Sequence, residues 1–190
     1  MAVMGGLLDL LLTRRSVGKL RADPVPRELV EQMLQAAAMA PNHHLTEPWR
    51  FVVIGGDARR EVGEAHAAAV ARCRPAAAPE ALRREAARLE RAPVVIACVV
   101  NGDAPDAVQA REDRDAVAAA VQNLLLAAHA LGFGAIWRTG AMVDEPEVRD
   151  ALGLADADAI VAFVYVGRAD ASPDARERRP LDDVVEWRER

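Results

Sequence analysis

The stretch AVAAAVQNLLLAAHALG (Ala116–Gly132) decides how the rest of the chain must fold. Apart from Gln122, Asn123 and His129 it is apolar, and its apolar residues fall on every side of a 3.6-residue turn instead of along one stripe. A helix of that kind has to be covered all round. The helical pattern reaches back to Asp106 and on to Leu131, with Gly132 at the C-cap. A chain of 190 residues makes one domain of ordinary size. In so small a domain the helix belongs at the centre, open to sharing with a second subunit.

The flanks supply what would cover it. On the C-terminal side FGAIWRTG reads as a strand with glycines before and after, DEPEVRDALGL as a short capped helix and DAIVAFVYVGR as the last strand. A polar loop at 169–175 then leads into the tail RERRPLDDVVEWRER. On the N-terminal side the continuous apolar run of APVVIACVV predicts a strand buried on both faces. Before it, PEALRREAARLERAP reads as a charged, solvated helix over 79–91, and Asp57 as the cap of a helix from Ala58 to about Ala71. Trp49–Ile54, bounded by Pro48 and Gly55-Gly56, is a further strand. In RELVEQMLQAAAMA, Leu29, Val30, Met33, Leu34 and Ala37 keep the three-four spacing of one buried face; Pro26 opens that helix and Pro41 ends it. Leu7–Leu12 reads as a short amphipathic helix. The order α-α-β-α-α-β-α-β-α-β, without repeats or a domain boundary, predicts an α+β or three-layer sandwich around four strands, as a single domain with the segment 169–190 as its tail.

Composition narrows the function. A net charge of −5 and a pI near 5.4 argue against nucleic acid as a partner. No run reaches the roughly 18 apolar residues of a membrane span. The start has no basic region and no A-x-A cleavage site, so the chain reads as cytoplasmic. Aromatic residues are only 4% of a chain that is 52% hydrophobic, so the core must be mostly Ala, Val and Leu. Cys73 and Cys98 form neither a disulfide framework nor a CxxC pair, and Cys98, inside VVIACVV, reads as a small buried hydrophobe.

Common catalytic motifs are missing. VVIGGDARR has two glycines but not the dinucleotide-binding GxGxxG, and there is no GxxxxGK[ST], HExxH or GxSxG. Histidines 43, 44, 66 and 129 lack metal-ligand spacing, and the adjacent pair is expected to point apart, so no metal is expected. Two arginine groups remain. Arg14, Arg15 and Ser16 in TRRS could gather round an anion, and in RERRP alternation puts Arg176 and Arg178 on one side. Guanidinium forks match the oxygens of a phosphate monoester. Composition alone favours the other reading, solvent-exposed arginines in an arginine-rich chain.

Taken together, RRSVGKL near the start, APNHHLTEPWRFVVI, AVQNLLLAAHALGFGAIWRTG and RERRPLDDVVEW resemble the FMN-dependent nitroreductase family, above all its small members. The pieces stand in family order over nearly the whole chain. The resemblance implies an α+β homodimer with an antiparallel central sheet, the long helix at the dimer contact, and FMN held between subunits. It implies that Arg14, Arg15 and Ser16 hold the flavin phosphate and ribityl chain, with Arg176 and Arg178 completing the phosphate site. It implies that Pro41, Asn42 and His43 of the other subunit line the ring while His44 does not, and that Trp137, Arg138 and Thr139 lie beside the ring. NADH or NADPH would reduce the flavin, and a small electron-poor acceptor, nitroaromatic or quinone-like, would reoxidise it in a ping-pong cycle, with no obligatory side-chain acid or base. Three positions depart from the family pattern: Leu45 and Glu47 replace polar contacts, and Gly18 stands where many members carry a basic residue near flavin N1. Arg138 is the group that could supply that charge. Flavin fragmentation, dehalogenation, azoline oxidation and non-catalytic FMN binding are the alternatives within the resemblance.

Overall fold

The computed structural model describes residues 6–171, 173 and 177–189. Four strands, β1 (Trp49–Gly55), β2 (Val94–Val100), β3 (Gly134–Arg138) and β4 (Ala159–Gly167), form one sheet in the order β1-β2-β4-β3, every neighbour antiparallel. The helices are α1 (Leu7–Thr13), α2 (Arg27–Ala37), α3 (Ala58–Cys73), α4 (Pro79–Ala86), α5 (Ala107–Ala130) and α6 (Pro146–Ala151). All the predicted strands and helices form.

Two cores sandwich the sheet because β2 is apolar at every position. Val94, Ile96, Cys98 and Val100 face α2 and α5, while Val95, Ala97 and Val99 face α3 and α6. Cys98 is fully buried there, and burial pushes its thiol up to about 12, so it serves as packing. A register shift at Cys98/Val99 leaves Val161 of β4 as an extra residue. Val161 and Ala162 therefore both reach the α2/α5 core, as a bulge requires.

Helix α5 is fixed at both ends. The Asp106 carboxylate accepts the backbone N–H groups of Val108 and Gln109 at 2.8 and 2.9 Å. At the other end Gly132, at φ +78°, stands one residue beyond the cap. The Gly132 N–H bonds the His129 carbonyl and the Phe133 N–H bonds that of Ala128, which is a full Schellman closure. Only Gly takes that φ at no steric cost, and the closure turns the chain straight into β3.

Three local expectations change. Asp57 has helical dihedrals and makes no side-chain cap bond, so it is the first residue of a turn that continues into α3. The charged segment 79–91 stops being α-helical at Ala86 and ends in a 3-10 turn that buries Leu89. Helix α1 has apolar periodicity but no buried residue: Leu8 and Leu12 are each 72% exposed. No described helix is long and apolar enough to cross a membrane.

Candidate functional site

The segment after α1 runs along the free edge of the sheet. Ser16 bridges to Ala135 of β3, the Val17 N–H donates to the Ala135 carbonyl at 3.0 Å, and the Arg21 N–H donates to the Arg168 carbonyl at 2.8 Å. This approach needs glycine. A Cβ at Gly134 would lie 2.9 Å from Val17 Cβ and 3.0 Å from Leu20 Cδ2. So β3 begins with a residue that lets the arginine-bearing segment lie against it.

At this edge Arg14, Arg15, Thr13 and His129 line a cavity of about 300 Å³, floored by Leu125 and by Phe133 to Ala135. Arg15 donates to the carbonyl of Leu12 in α1 at 2.7 Å and to that of Arg14 just beyond the helix at 3.0 Å. Its Nε and the Nη1 of Arg14 are buried with no hydrogen-bond partner among the described residues. Burial and then the neighbouring charges of Arg178 and Arg15 lower the pKa of Arg14. Buried N–H groups of a cation without acceptors are costly. An anion carrying several oxygens would satisfy them. The tail's Arg178 lies near enough for its charge to bear on Arg14; Arg176 lies outside the described residues.

The expected ring-side residues divide between the two faces of β3. Trp137 packs on the α5 core, whereas Arg138 points to the opposite face, its guanidinium 5.6 Å from the centre of the Tyr165 ring. Arg138 Nε is buried without a partner among the described residues, and Nη2 lies 3.5 Å from where a Cβ at Gly18 would be. Arg138 thus occupies space next to the glycine that replaces a basic side chain. Thr139 follows the strand, exposed, ahead of Gly140 at φ +105°.

Pro41, Asn42 and His43 lie elsewhere. They line a recess against the first half of α5 together with Glu112 and Asp115, and His43 Nδ1 is 3.0 Å from Glu112 Oε2. Thr46 donates to the buried Asp113 carboxylate at 2.7 Å, and Asn42 Oδ1 accepts the Glu47 N–H at 3.0 Å. His44, Leu45 and Glu47 all have positive φ, between 44° and 56°, a costly arrangement for non-glycine residues that concentrates at functional loops. The two histidines do not point apart. Their rings stack with centroids 3.8 Å apart, because the left-handed backbone at His44 breaks the alternation of an extended chain. Nitrogens of His43 and His44 and an oxygen of Glu112 come within 4.8 Å of one another.

His129 follows Glu112 by 17 positions on α5, roughly 25 Å along the axis at 1.5 Å per residue. The arginine cavity and the histidine loop are therefore at opposite ends of one helix, and a single chain does not bring them together. Sequence reasoning did not find His129: a lone histidine in an apolar helix carries no spacing signal.

The sequence model of the Nitroreductase family matches residues 11–168. The chain belongs to the nitroreductase family. This nitroreductase-family chain is 33% identical over 183 residues to YfhC of Bacillus subtilis, provisionally named an NAD(P)H nitroreductase, covering 93% of this chain and 91% of that one. Its fold matches the crystal structure of a nitroreductase-like family protein from Bacillus cereus at a TM-score of 0.86 and 27% identity, over 100% and 99% of the two chains. It also matches a Desulfovibrio desulfuricans protein, provisionally described as a nitroreductase and solved in complex with FMN, at a TM-score of 0.78 and 28% identity over 97% and 98%.

Proposed function

We propose that this nitroreductase-family chain is an FMN-dependent oxidoreductase that uses NADH or NADPH to reduce nitroaromatic, quinone-like or other electron-poor acceptors, acting as a homodimer. The observation that carries the reading is the pair of buried guanidinium donors of Arg14 and Arg15, without partners among the described residues, in a cavity against β3. A phosphate monoester has nearly two charges and three acceptor oxygens, which match those donors. FMN, when bound, supplies the two-electron chemistry, accepting a hydride from the nicotinamide and passing electrons to the second substrate.

The chain's own residues bind, orient and tune. Arg14, Arg15 and Arg178 hold the phosphate, the Ser16 hydroxyl stands next to them on the same segment, and Arg176 of the tail belongs with this set. Trp137 and Thr139, at the C-terminal end of β3, would lie beside the ring, and Arg138 brings a positive charge toward the position of Gly18. Pro41, Asn42 and His43 would line the ring from a second copy. The roughly 25 Å between that loop and the arginine cavity in one chain supports this reading. No proton need be held by a side chain for hydride transfer, so these are binding and orienting groups.

The test is the visible absorbance of the purified, desalted protein, with added FMN as control. A retained flavin spectrum that bleaches anaerobically with NADH or NADPH is expected. A protein that rejects FMN even when it is supplied would overturn the proposal.

A further inference from the structure

We infer that His129 is a further anion-binding group of the Arg14–Arg15 cavity, which takes up a proton when a phosphate monoester enters, so that cofactor affinity depends on pH. The inference rests on the flavin reading for the identity of the anion, but its geometry does not. His129 lines the cavity beside Thr13, Arg14 and Arg15, with Nε2 3.0 Å from Thr13 Oγ1.

The hydrogen bonds fix its tautomer. The single hydroxyl proton of Thr13 is donated to the Asp9 carbonyl at 2.5 Å, so Thr13 can only accept from His129. The neutral ring therefore has its proton on Nε2 and a bare Nδ1. A second proton, on Nδ1, would turn this cavity-lining residue into a cation.

The charges bearing on His129 are those of Arg14 and Arg15, with Arg178 beyond Arg14. Burial first, then these two arginines, lower its pKa, despite its place in the last turn of α5, where the helix carbonyls favour a cation. Without ligand the uncharged ring is therefore favoured. A doubly charged phosphate reverses the sign of the local field. An opposite charge nearby favours the protonated ring, so the pKa rises on binding and protonation accompanies it. By linkage, affinity then strengthens as pH falls below neutral. Phosphate itself gains a proton with a pKa near 6, which acts the other way. The difference between parent and a His129 variant isolates the histidine.

The experiment follows the His129 imidazole by NMR from about pH 5 to about pH 8, with the resonance assigned by His129→Gln. The full-length protein is freed of flavin and then given inorganic phosphate, FMN or riboflavin. A His129 pKa raised about tenfold in proton affinity by FMN and by phosphate, but not by riboflavin, is the expected result. His129→Gln should weaken FMN binding about tenfold near pH 6 and less near pH 8. FMN retained with the His129 titration unmoved would overturn the inference and leave the flavin reading intact. Rejection of FMN by the parent would remove the flavin reading, and the phosphate titration would then decide His129 alone: a raised pKa upholds the anion site and an unmoved one removes it.

Discussion

The guanidinium of Arg138 reaches space beside Gly18, where a longer residue at position 18 would lie, and its buried Nε–H has no partner among the described residues. A positive charge near a flavin stabilises its anionic reduced form. Arg138→Ala is therefore expected to lower the midpoint potential of the bound flavin, read by anaerobic spectroelectrochemical titration. An unchanged potential would remove Arg138 from that role. Residues differ in how far the sequence reveals them. Arg14, Arg15 and Ser16 are legible because they are consecutive and follow a helix end. Arg138 is legible by position, but the sequence does not show that its side chain turns to the Tyr165 face of β3. The stacking of His43 on His44 depends on a φ of 56° at a non-glycine residue, which no residue type announces.

Among the elements, β3 and the α3/α4 hairpin carry the clearest tests. In Gly134→Ala a methyl group would meet Val17 and Leu20 at about the distance where something must move. Overpacking of this kind costs about 1–3 kcal/mol. Urea unfolding should show that loss, and FMN retention should fall with it because the Arg14–Ser16 segment is displaced from the strand. The second test is electrostatic. His66, on the buried face of α3, contacts Glu85 of α4 at 3.2 Å, and its Nδ1 is buried without a partner among the described residues. Burial and then Arg88 lower its pKa, outweighing Glu85 and Glu145. The unfolded chain therefore takes up this proton first as the solution is acidified. Stability is complete above the unfolded value of about 6.5 and falls below it. His66→Gln should lose less stability between about pH 7.5 and about pH 5.5 than the parent, measured by denaturant midpoints; equal losses would exclude His66 as the cause. The elements themselves were legible because β2 is apolar at every position and α5 is apolar on every side. The break at Ala86 was not, since the charged sequence beyond it remains helix-compatible and only the burial of Leu89 bends it into a 3-10 turn.

At the scale of the whole molecule, Leu7, Leu8, Leu11 and Leu12 leave α1 without a buried residue although it packs on α5. In the proposed homodimer, this apolar surface is where the second copy would pack. Replacing Leu8 and Leu12 together by Asp should give a folded monomer that loses flavin, with sedimentation and circular dichroism as the readings. A flavin-loaded monomer would refute the shared site. The placement of the arginine cavity at one end of α5 and the Pro41–His43 loop at the other has a consequence in genetics. If each cofactor site draws its arginines from one chain and its loop from the other, two damaged alleles can repair each other. Arg14→Ala should weaken FMN binding about ten- to a hundred-fold, with about 1.5–3 kcal/mol lost, and His43→Ala should harm the opposite end. In a mixed dimer both lesions fall in one site, and the other site is assembled wholly from intact parts. Co-expression of the two alleles would then restore tight binding to one site per mixed dimer, a pattern of interallelic complementation that a site contained within a single chain could not produce.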